Sequence, residues 1–438
     1  MLVLFNNEDD DDKLPEAKGL HSKENCMVIR GKLEQELAQA RQELQAARQD
    51  AIAAEQKLLA REEEEAAASR DISFDVAGGK LNIGGARRAN YAAGDYNETG
   101  GASRATEDNG NFSLDTFRVN MDYANGPYSG KPEYRWYNGY NCIHTGWLGF
   151  DLDEESQLQV GVNRVPFGPG AYGVSQSYFF DQHYYVGLSD DMDLGVKYST
   201  TLNNWSLDLG YYFSDEGTGN GSSTDSARYS YDLVNETNNG YEERNQVNVR
   251  AIYSVPNASI DTDVGFSLQY GKLDSKGVQD DGHHYAASVH MVNKWDNVTL
   301  ASQLTRYKYE VDAAQPLGTD DLVQFGAYDF ANTVAAEAWI PAISLSYYHA
   351  TPSIGWLDYV IPYVEYSSLL KEKSGFNDSE FVTLGAAWAN GGWYIYTDLA
   401  MSNGNEFIGG ETTFGDRLGA NADDDWQTRF NINFGYYF

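Results

Sequence analysis

Residues 430–438 read Phe-Asn-Ile-Asn-Phe-Gly-Tyr-Tyr-Phe and end the sequence. Large apolar or aromatic side chains occupy every second position of this segment, and asparagine or glycine fills most of the positions between them. A period of two is typical of a β-strand with one apolar and one more polar face. The segment therefore predicts a terminal strand, and its pattern can be sought in the rest of the chain.

The same alternation runs through residues 72–438. It is clearest in 117–123, 205–213, 247–253 and 264–270. Counting the alternating runs between turn signals gives 16 strands, which start near residues 80, 111, 132, 142, 157, 192, 205, 245, 260, 283, 298, 333, 359, 380, 393 and 426. Soluble β-sandwiches show the same alternation, so the pattern alone does not decide between a sandwich and a membrane barrel.

Three further features favour a membrane barrel. Short connections such as 203–204 and 391–392 alternate with long ones at 95–110, 168–191, 215–242, 312–328 and 403–424, and the apolar faces end in aromatic residues. The final segment resembles the signal read by the bacterial outer-membrane barrel-assembly machinery. We predict an all-β fold, a 16-stranded antiparallel transmembrane β-barrel wide enough for an aqueous channel, in the bacterial outer membrane. Its predicted assembly signal comprises Phe430, Ile432, Phe434, Tyr436 and Phe438.

Composition agrees with this class. The 438 residues carry a formal charge of −34, which disfavours nucleic acid as a partner because that role needs a basic face. Aromatic residues make up 14% of the chain, too many for a disordered acidic protein. Mean hydropathy is −0.54, and no apolar run reaches the roughly 18–20 residues of a spanning helix.

The first seventy residues have a different character. Residues 1–30 show no signal peptide and contain Asp-Asp-Asp-Asp-Lys at 9–13, the enterokinase recognition sequence, so we leave them unassigned as a tag, a mis-assigned start or a natural acidic tail. Between 31 and 70, Leu and Ala recur every 3.5 residues from Leu33 to Leu58. This spacing predicts an α-helical coiled coil, which we expect in the periplasm ahead of a barrel domain at 71–438.

Charged residues on the polar face of the strands are candidates for the channel lining. The predicted acidic lining residues are Asp122, Glu133, Asp151, Asp208, Asp263, Glu365 and Asp398. Basic side chains in a channel lower the barrier for carboxylates, so the basic set predicts anion selectivity. This set comprises Arg88, Arg118, Arg135, Lys197, Arg250 and Arg429. Three further basic residues, Arg164, Arg306 and Lys308, fall out of phase with their strands.

The connection at 168–191, with the residues just before it, is unusually aromatic. Such a segment is costly in water, but inside a wide barrel it narrows the lumen and offers rings for stacking. We predict a constriction loop that includes Pro166, Phe167, Gly168, Tyr172, Phe179, Phe180, Tyr184 and Tyr185.

Several segments together resemble the DcaP-type outer-membrane porins: 134–141, 144–150, 165–168, 184–191 and 429–438. The resemblance covers about residues 72–438, and the helical segment before it is similar to that family's N-terminal coiled coil. It implies a homotrimer of 16-stranded barrels in outer-membrane lipid and lipopolysaccharide. It also implies passive uptake of small anionic solutes, chiefly dicarboxylates.

Other functions remain open at this point. A carbohydrate-type or non-selective porin is the alternative channel, and an outer-membrane anchor or tether with a closed barrel is the alternative from another class. No nucleophile–base pair or phosphate-binding loop is evident, so we predict no enzyme activity, no catalytic residues and no cofactor. We also predict no metal site, because Asp190, Asp191 and Asp193 match only part of a calcium loop.

Overall fold

A computed structural model of the chain describes residues 72–95, 110–256, 260–409 and 415–438. The unassigned segment 1–30 and the predicted coiled coil at 31–70 lie outside the described residues. Within the described ranges the chain forms β-strands and one short 3-10 turn, Tyr184–Val186. No helix in this part of the chain is long and apolar enough to cross a membrane.

The strands follow the predicted order along the chain. They are β1 (Ile72–Val76), β2 (Gly79–Gly94), β3 (Asn111–Asn125), β4 (Tyr128–Tyr137), β5 (Asn141–Asp151), β6 (Ser156–Arg164), β7 (Met192–Leu202), β8 (Trp205–Asp215), β9 (Asp232–Leu233), β10 (Tyr241–Ser254), β11 (Asp261–Ser275), β12 (Gly282–Trp295), β13 (Val298–Glu310), β14 (Leu322–Ala327), β15 (Phe330–Ala335), β16 (Glu337–Tyr347), β17 (His349–Ala350), β18 (Tyr359–Lys371), β19 (Ser379–Asn390), β20 (Trp393–Ser402) and β21 (Gln427–Tyr437).

Sixteen of these strands form one closed antiparallel barrel. In order they are β2 to β8, β10 to β13, β16 and β18 to β21, and β21 pairs back onto β2 with Asn433 opposite Asn90. The predicted 16-stranded antiparallel barrel is therefore confirmed. Every predicted strand start lies within four residues of an observed one. The period-two pattern determines where the strands form, and the tight turns make consecutive strands antiparallel.

The two faces of the barrel wall are inverted relative to a soluble protein. On β11 the side chains of Val264, Phe266 and Leu268 point outward and are 41–49% exposed, whereas Ser267 and Gln269 between them are at most 5% exposed. An apolar outer face with a polar interior is the arrangement that a lipid environment stabilises.

The barrel closes at a seam where three strands meet. The strand β1 pairs with the start of β2, Ile72 opposite Ile83, and β21 pairs with the continuation of β2, Tyr437 opposite Ala86. Between these two pairings, the Gly85 and Phe438 backbones exchange hydrogen bonds of 2.9 and 3.0 Å. A Cβ atom at position 85 would lie 2.4 Å from the Arg118 carbonyl oxygen, so the seam requires glycine there.

The predicted assembly signal lies on β21 and at its end. Its alternating residues occupy the outer face, where Phe430 is 40% and Tyr436 38% exposed. The intervening Asn431 and Asn433 point inward and are fully buried. The structure thus gives this segment the predicted strand and faces, and its role in assembly stays a prediction.

The long connections carry the apolar core. Strands β9, β14 and β15 form a small antiparallel sheet that is separate from the sixteen strands of the barrel wall. Phe325 and Leu418 are fully buried in the connections, and Tyr231 is 1% exposed.

The predicted start of the twelfth strand needs correction. Its expected start near 333 falls in β15, and the barrel strand β16 begins at Glu337.

Two of the out-of-phase basic residues lie on the outer face near the end of β13. Arg306 and Lys308 have the outward parity of Leu304, and both form ion pairs with Glu337 on the neighbouring β16. The next segment is the long connection 311–336. A position at the strand end, where a charge is not held in mid-bilayer, explains why the sequence tolerates them there.

Candidate functional site

The inner loop (residues 165–191) leaves the wall after β6 and returns to it at β7. Its backbone and side chains contact strands elsewhere on the barrel. The Gly168 amide donates to Ser267 Oγ on β11 at 3.0 Å, and His183 Nε2 is hydrogen-bonded to Thr305 Oγ1 on β13 at 2.8 Å. The loop is thus held inside the barrel rather than outside it.

Two acidic side chains of the wall hold the middle of the inner loop. Glu365 on β18 accepts from Ser175 Oγ at 2.6 Å and also from the Gln176 amide. Asp398 on β20 accepts from the Tyr178 amide at 3.3 Å. Glu365 is 5% exposed and Asp398 is fully buried. These carboxylates therefore serve as acceptors for loop donors rather than as free charges in the lumen.

Four arginines stand on four adjacent strands of the wall. Arg429 lies on β21, Arg88 on β2, Arg118 on β3 and Arg135 on β4, and these strands pair in that order. Arg118 and Arg135 are direct register partners. Because the pleat sends every second side chain inward, one basic residue on each strand builds a continuous basic strip. We call these four residues the arginine row.

Carboxylates and carbonyls orient the arginine row. Arg88 Nε lies 2.8 Å from Asp115 Oδ2. Glu133 Oε1 lies 2.6 Å from Arg135 Nε and 3.3 Å from Arg118 Nη1, so one carboxylate serves two guanidinium groups. Arg429 donates to the Phe407 carbonyl oxygen at 3.1 Å. These contacts fix the heads of long, otherwise mobile side chains.

A cavity of about 320 Å³ lies between the arginine row and the inner loop. All four arginines line it, together with two carboxylates, Asp115 and Asp190. The ionisable Asp and Arg side chains of the lining thus sum to a formal charge of +2. A basic lining inside a chain of net charge −34 concentrates positive potential in this cavity.

The opposite side of the cavity is built from aromatic side chains of three connections. Tyr184 of the inner loop is hydrogen-bonded through its hydroxyl to Tyr328, and Tyr229 Oη donates to Asp190 Oδ2 at 2.6 Å. Burial raises the pKa of Tyr184 and Tyr229, so both hydroxyls stay neutral and can donate. Arg135 Cζ lies 4.3 Å from the Tyr229 ring centroid, a cation–π distance that links the two sides.

The structure separates the predicted basic residues into two groups. The arginine row lines the cavity, whereas Arg250 pairs with Asp208 at 2.8 Å and Lys197 Nζ donates to the Arg164 carbonyl oxygen at 2.9 Å. Arg250 and Lys197 are not among the residues that line the cavity. The out-of-phase Arg164 lies at the end of β6 and pairs with Asp190 at 2.8 Å.

The predicted residues of the constriction loop also divide. Pro166, Phe167 and Gly168 are buried at the start of the inner loop. The five that line the cavity are Tyr172, Phe179, Phe180, Tyr184 and Tyr185.

Sequence reasoning did not name several other lining residues. Tyr394, Tyr396 and Tyr437 share the inward parity of predicted lining residues on their own strands, Asp398 and Arg429. Tyr229 and Tyr328 lie in connections, where no period marks them.

Several solved structures of outer-membrane proteins have a fold similar to this barrel. The outer-membrane channel DcaP of Acinetobacter baumannii matches with a TM-score of 0.54 and 10% identity, over 83% of this chain and 99% of that chain. The trimer form of the outer-membrane protein OmpT of Vibrio cholerae matches with a TM-score of 0.53 and 14% identity, over 82% of this chain and 100% of that chain. Salmonella typhi OmpF, in complex with daunomycin, matches with a TM-score of 0.50 and 14% identity, over 84% of this chain and 100% of that chain. The chain has the fold of an outer-membrane porin.

At 10–14% identity these likenesses show the porin fold and no more. No protein-family model and no curated protein matches the sequence. The match covers 99–100% of each of these three chains, so the likeness extends over the whole barrel.

Proposed function

We propose that this porin-like barrel is a passive diffusion channel of the bacterial outer membrane for small anionic solutes such as dicarboxylates. The observation that carries the proposal is the arginine row, which gives the cavity lining a formal charge of +2. Two carboxylates of one solute fit a strip of several guanidinium groups because each group offers paired donors to a carboxylate. The aromatic side opposite supplies apolar contact for the carbon skeleton between the carboxylates.

The inner loop is proposed as the constriction. Its cavity-lining residues include Tyr172 and Phe180, and its middle is bonded to Glu365 and Asp398 on the far wall. A loop fastened at several points keeps the cross-section small and constant, which favours selection by charge over selection by size alone.

The proposal also covers the assembly of the protein and its location in the cell. A homotrimer in outer-membrane lipid and lipopolysaccharide agrees with the outward apolar face and with the trimeric form of one similar barrel. A periplasmic coiled coil at 31–70 and delivery by the barrel-assembly machinery belong to this proposal as well. The region 71–438 would then be the membrane domain.

Conductance of the refolded full-length protein in planar bilayers tests the channel. We expect stepwise conductance in multiples of three, with a reversal potential in a KCl gradient that shows preference for chloride. In proteoliposomes, succinate should enter faster than a neutral disaccharide. Purified trimers that do not conduct would favour a closed tether, and preference for potassium would refute anion selectivity.

A carbohydrate porin is the second candidate, and the aromatic lining is the specific observation that favours it. Among the lining rings, the centroids of Phe180 and Tyr184 lie 4.4 Å apart, which shows how closely the rings are packed there. Sugars stack on such surfaces through their C–H faces. Faster entry of the disaccharide than of succinate would support this candidate over the anion channel.

A further inference from the structure

A second group of ionisable side chains lies at the end of the inner loop, outside the cavity lining. Asp191 ends the loop, Asp193 follows at the start of β7, and Asp232 comes from β9 in the connection 216–240. One carboxylate oxygen from each lies within 4.8 Å of the other two. All three residues are at most 6% exposed. Sequence spacing alone missed this group because Asp232 is distant along the chain.

The positive charge nearest to this group is shared between Asp232 and two carboxylates outside the group. Arg228 Nη1 lies 3.1 Å from both Asp215 and Asp232, and its Nη2 lies 2.6 Å from Asp225. No ion pair with Asp191 or Asp193 occurs in the described parts of the chain. Buried Glu216 and Glu243 also lie near the group. One guanidinium therefore stands among several buried carboxyl groups.

Unpartnered oxygen atoms provide a separate observation. Among the described residues, Asp191 Oδ1 and Asp193 Oδ1 are both buried without a hydrogen-bond partner. Gln246 is neutral and 2% exposed, and its Nε2 donates to Asp193 Oδ2 at 3.1 Å while its own Oε1 has no partner. Buried acceptors without a donor are rare in folded proteins. Because Gln246 is hydrogen-bonded to Asp193, these unpartnered acceptors belong to one group of side chains and point to a missing positive ligand.

We propose that Asp191, Asp193 and Asp232 bind one divalent cation, with calcium preferred. Calcium takes six to eight oxygen ligands at about 2.3–2.6 Å, so oxygens that lie within 4.8 Å of one another, as these do, can share one ion. Magnesium usually keeps several waters and is bound through one or two carboxylates, so a buried group of three carboxylates suits calcium better. The Gln246 carbonyl oxygen is a suitable neutral ligand beside the three carboxylates.

Such an ion would join three parts of the fold. It would tie the end of the inner loop to the start of β7 and to the connection that carries Asp232. Both segments contribute side chains to the cavity, Asp190 from the loop and Tyr229 from the connection. The ion would therefore hold two walls of the cavity at a fixed separation.

Calcium titration of the wild-type protein tests the proposal directly. The full chain is refolded from denaturant into detergent without lipopolysaccharide, which binds calcium itself, and is treated with a chelator that is then removed. Calorimetric titration with Ca²⁺ is expected to give one ion per chain, with weaker binding of Mg²⁺. No calcium binding at millimolar concentration would overturn the proposal and would mean that the carboxylates are held as neutral acids.

Matched variants locate the site. Asp191→Asn combined with Asp193→Asn is expected to abolish calcium binding. The control, Asp424→Asn combined with Asp425→Asn, removes the same charge from exposed positions and should keep one ion per chain. Full calcium binding by the D191N/D193N protein would overturn the assignment. If that variant does not refold, Asp232→Asn replaces it, with loss of binding expected and full binding again counting against the site.

Discussion

Arg118 and Arg135 stand directly opposite each other on neighbouring strands, and both guanidinium groups contact the same oxygen of Glu133. Two like charges at adjacent wall positions repel, and one buried carboxylate between them offsets only half of that charge. The pair therefore retains a net positive charge at the cavity. Arg118 is the more exposed of the two, with 24% of its side chain accessible against 8% for Arg135.

Arg118→Gln should reduce anion preference without disturbing the fold. Glu133 keeps its shorter contact to Arg135, so no buried carboxylate is left alone. Loss of one unit charge at contact distance in water is worth about 1 kcal/mol for one ion, or about fivefold in the permeability of chloride, so the chloride-to-potassium ratio should fall by at least that factor. The reversal potential in a KCl gradient measures it.

Arg250→Gln is the matched control for that measurement. It removes the same charge from an inward position that pairs with Asp208 and lies outside the cavity lining. Its permeability ratio should stay close to that of the wild type. Equal shifts in the two variants would mean that overall lumen charge, and not the arginine row, sets the selectivity.

Glu365→Ala combined with Asp398→Ala should widen the channel. Each carboxylate accepts hydrogen bonds from the inner loop, and their removal frees Ser175, Gln176 and Tyr178 from the far wall. We expect a higher single-channel conductance with more open-state noise. The control Glu310→Ala changes an outward, partly exposed carboxylate and should conduct as the wild type does. An unchanged current in the double variant would show that other contacts hold the loop.

The barrel was predictable from sequence because its rule is local. Period two, tight turns and an apolar face recur on every strand, so Val264 to Tyr270 already indicate which side chains face outward. The same parity selected Arg88, Arg118, Arg135 and Arg429, which the fold brings onto four adjacent strands. Parity says which way a side chain points. It does not say which inward side chains line the cavity, so parity alone does not separate Arg250 on β10 and Lys197 on β7 from the arginine row.

The loop-built parts were not predictable in the same way. Tyr229 and Tyr328 reach the cavity from connections that have no period, and Asp232 meets Asp191 only through the folding of the segment 216–240. The strand near 333 was misplaced because β15 has the same alternation as a wall strand but pairs with β14. In each case the deciding information is a long-range contact rather than a local pattern.

Glu406 should make stability depend on pH. It is 2% exposed in the connection 403–426, and burial raises its pKa to about 7, although it accepts from the Gly415 and Arg417 amides. A folded pKa above the unfolded value favours the protonated protein. This contribution is therefore complete below about pH 4.5 and is lost as the pH rises through about 7, to the extent of roughly 3 kcal/mol.

Glu406→Gln should remove that dependence. Glutamine stays neutral, so the variant should gain unfolding temperature relative to the wild type at pH 8 and not at pH 4.5. Thermal unfolding in detergent at the two pH values measures the difference. Asp424→Asn, at an exposed position, should follow the wild-type profile. A Glu406→Gln protein whose profile is parallel to the wild type would assign the pH dependence to other groups.

Phe438→Ala separates the assembly signal from the structural seam. The substitution keeps both backbone hydrogen bonds with Gly85 and removes only the terminal ring. If the ring is read during biogenesis, the amount of barrel in the outer membrane of cells should fall severalfold, whereas the yield of refolding in detergent should not change. Phe150→Ala, an outward aromatic that is 38% exposed, serves as the control for loss of a ring. Equal losses for both variants in cells, or a refolding defect confined to Phe438→Ala, would assign the ring a structural role instead.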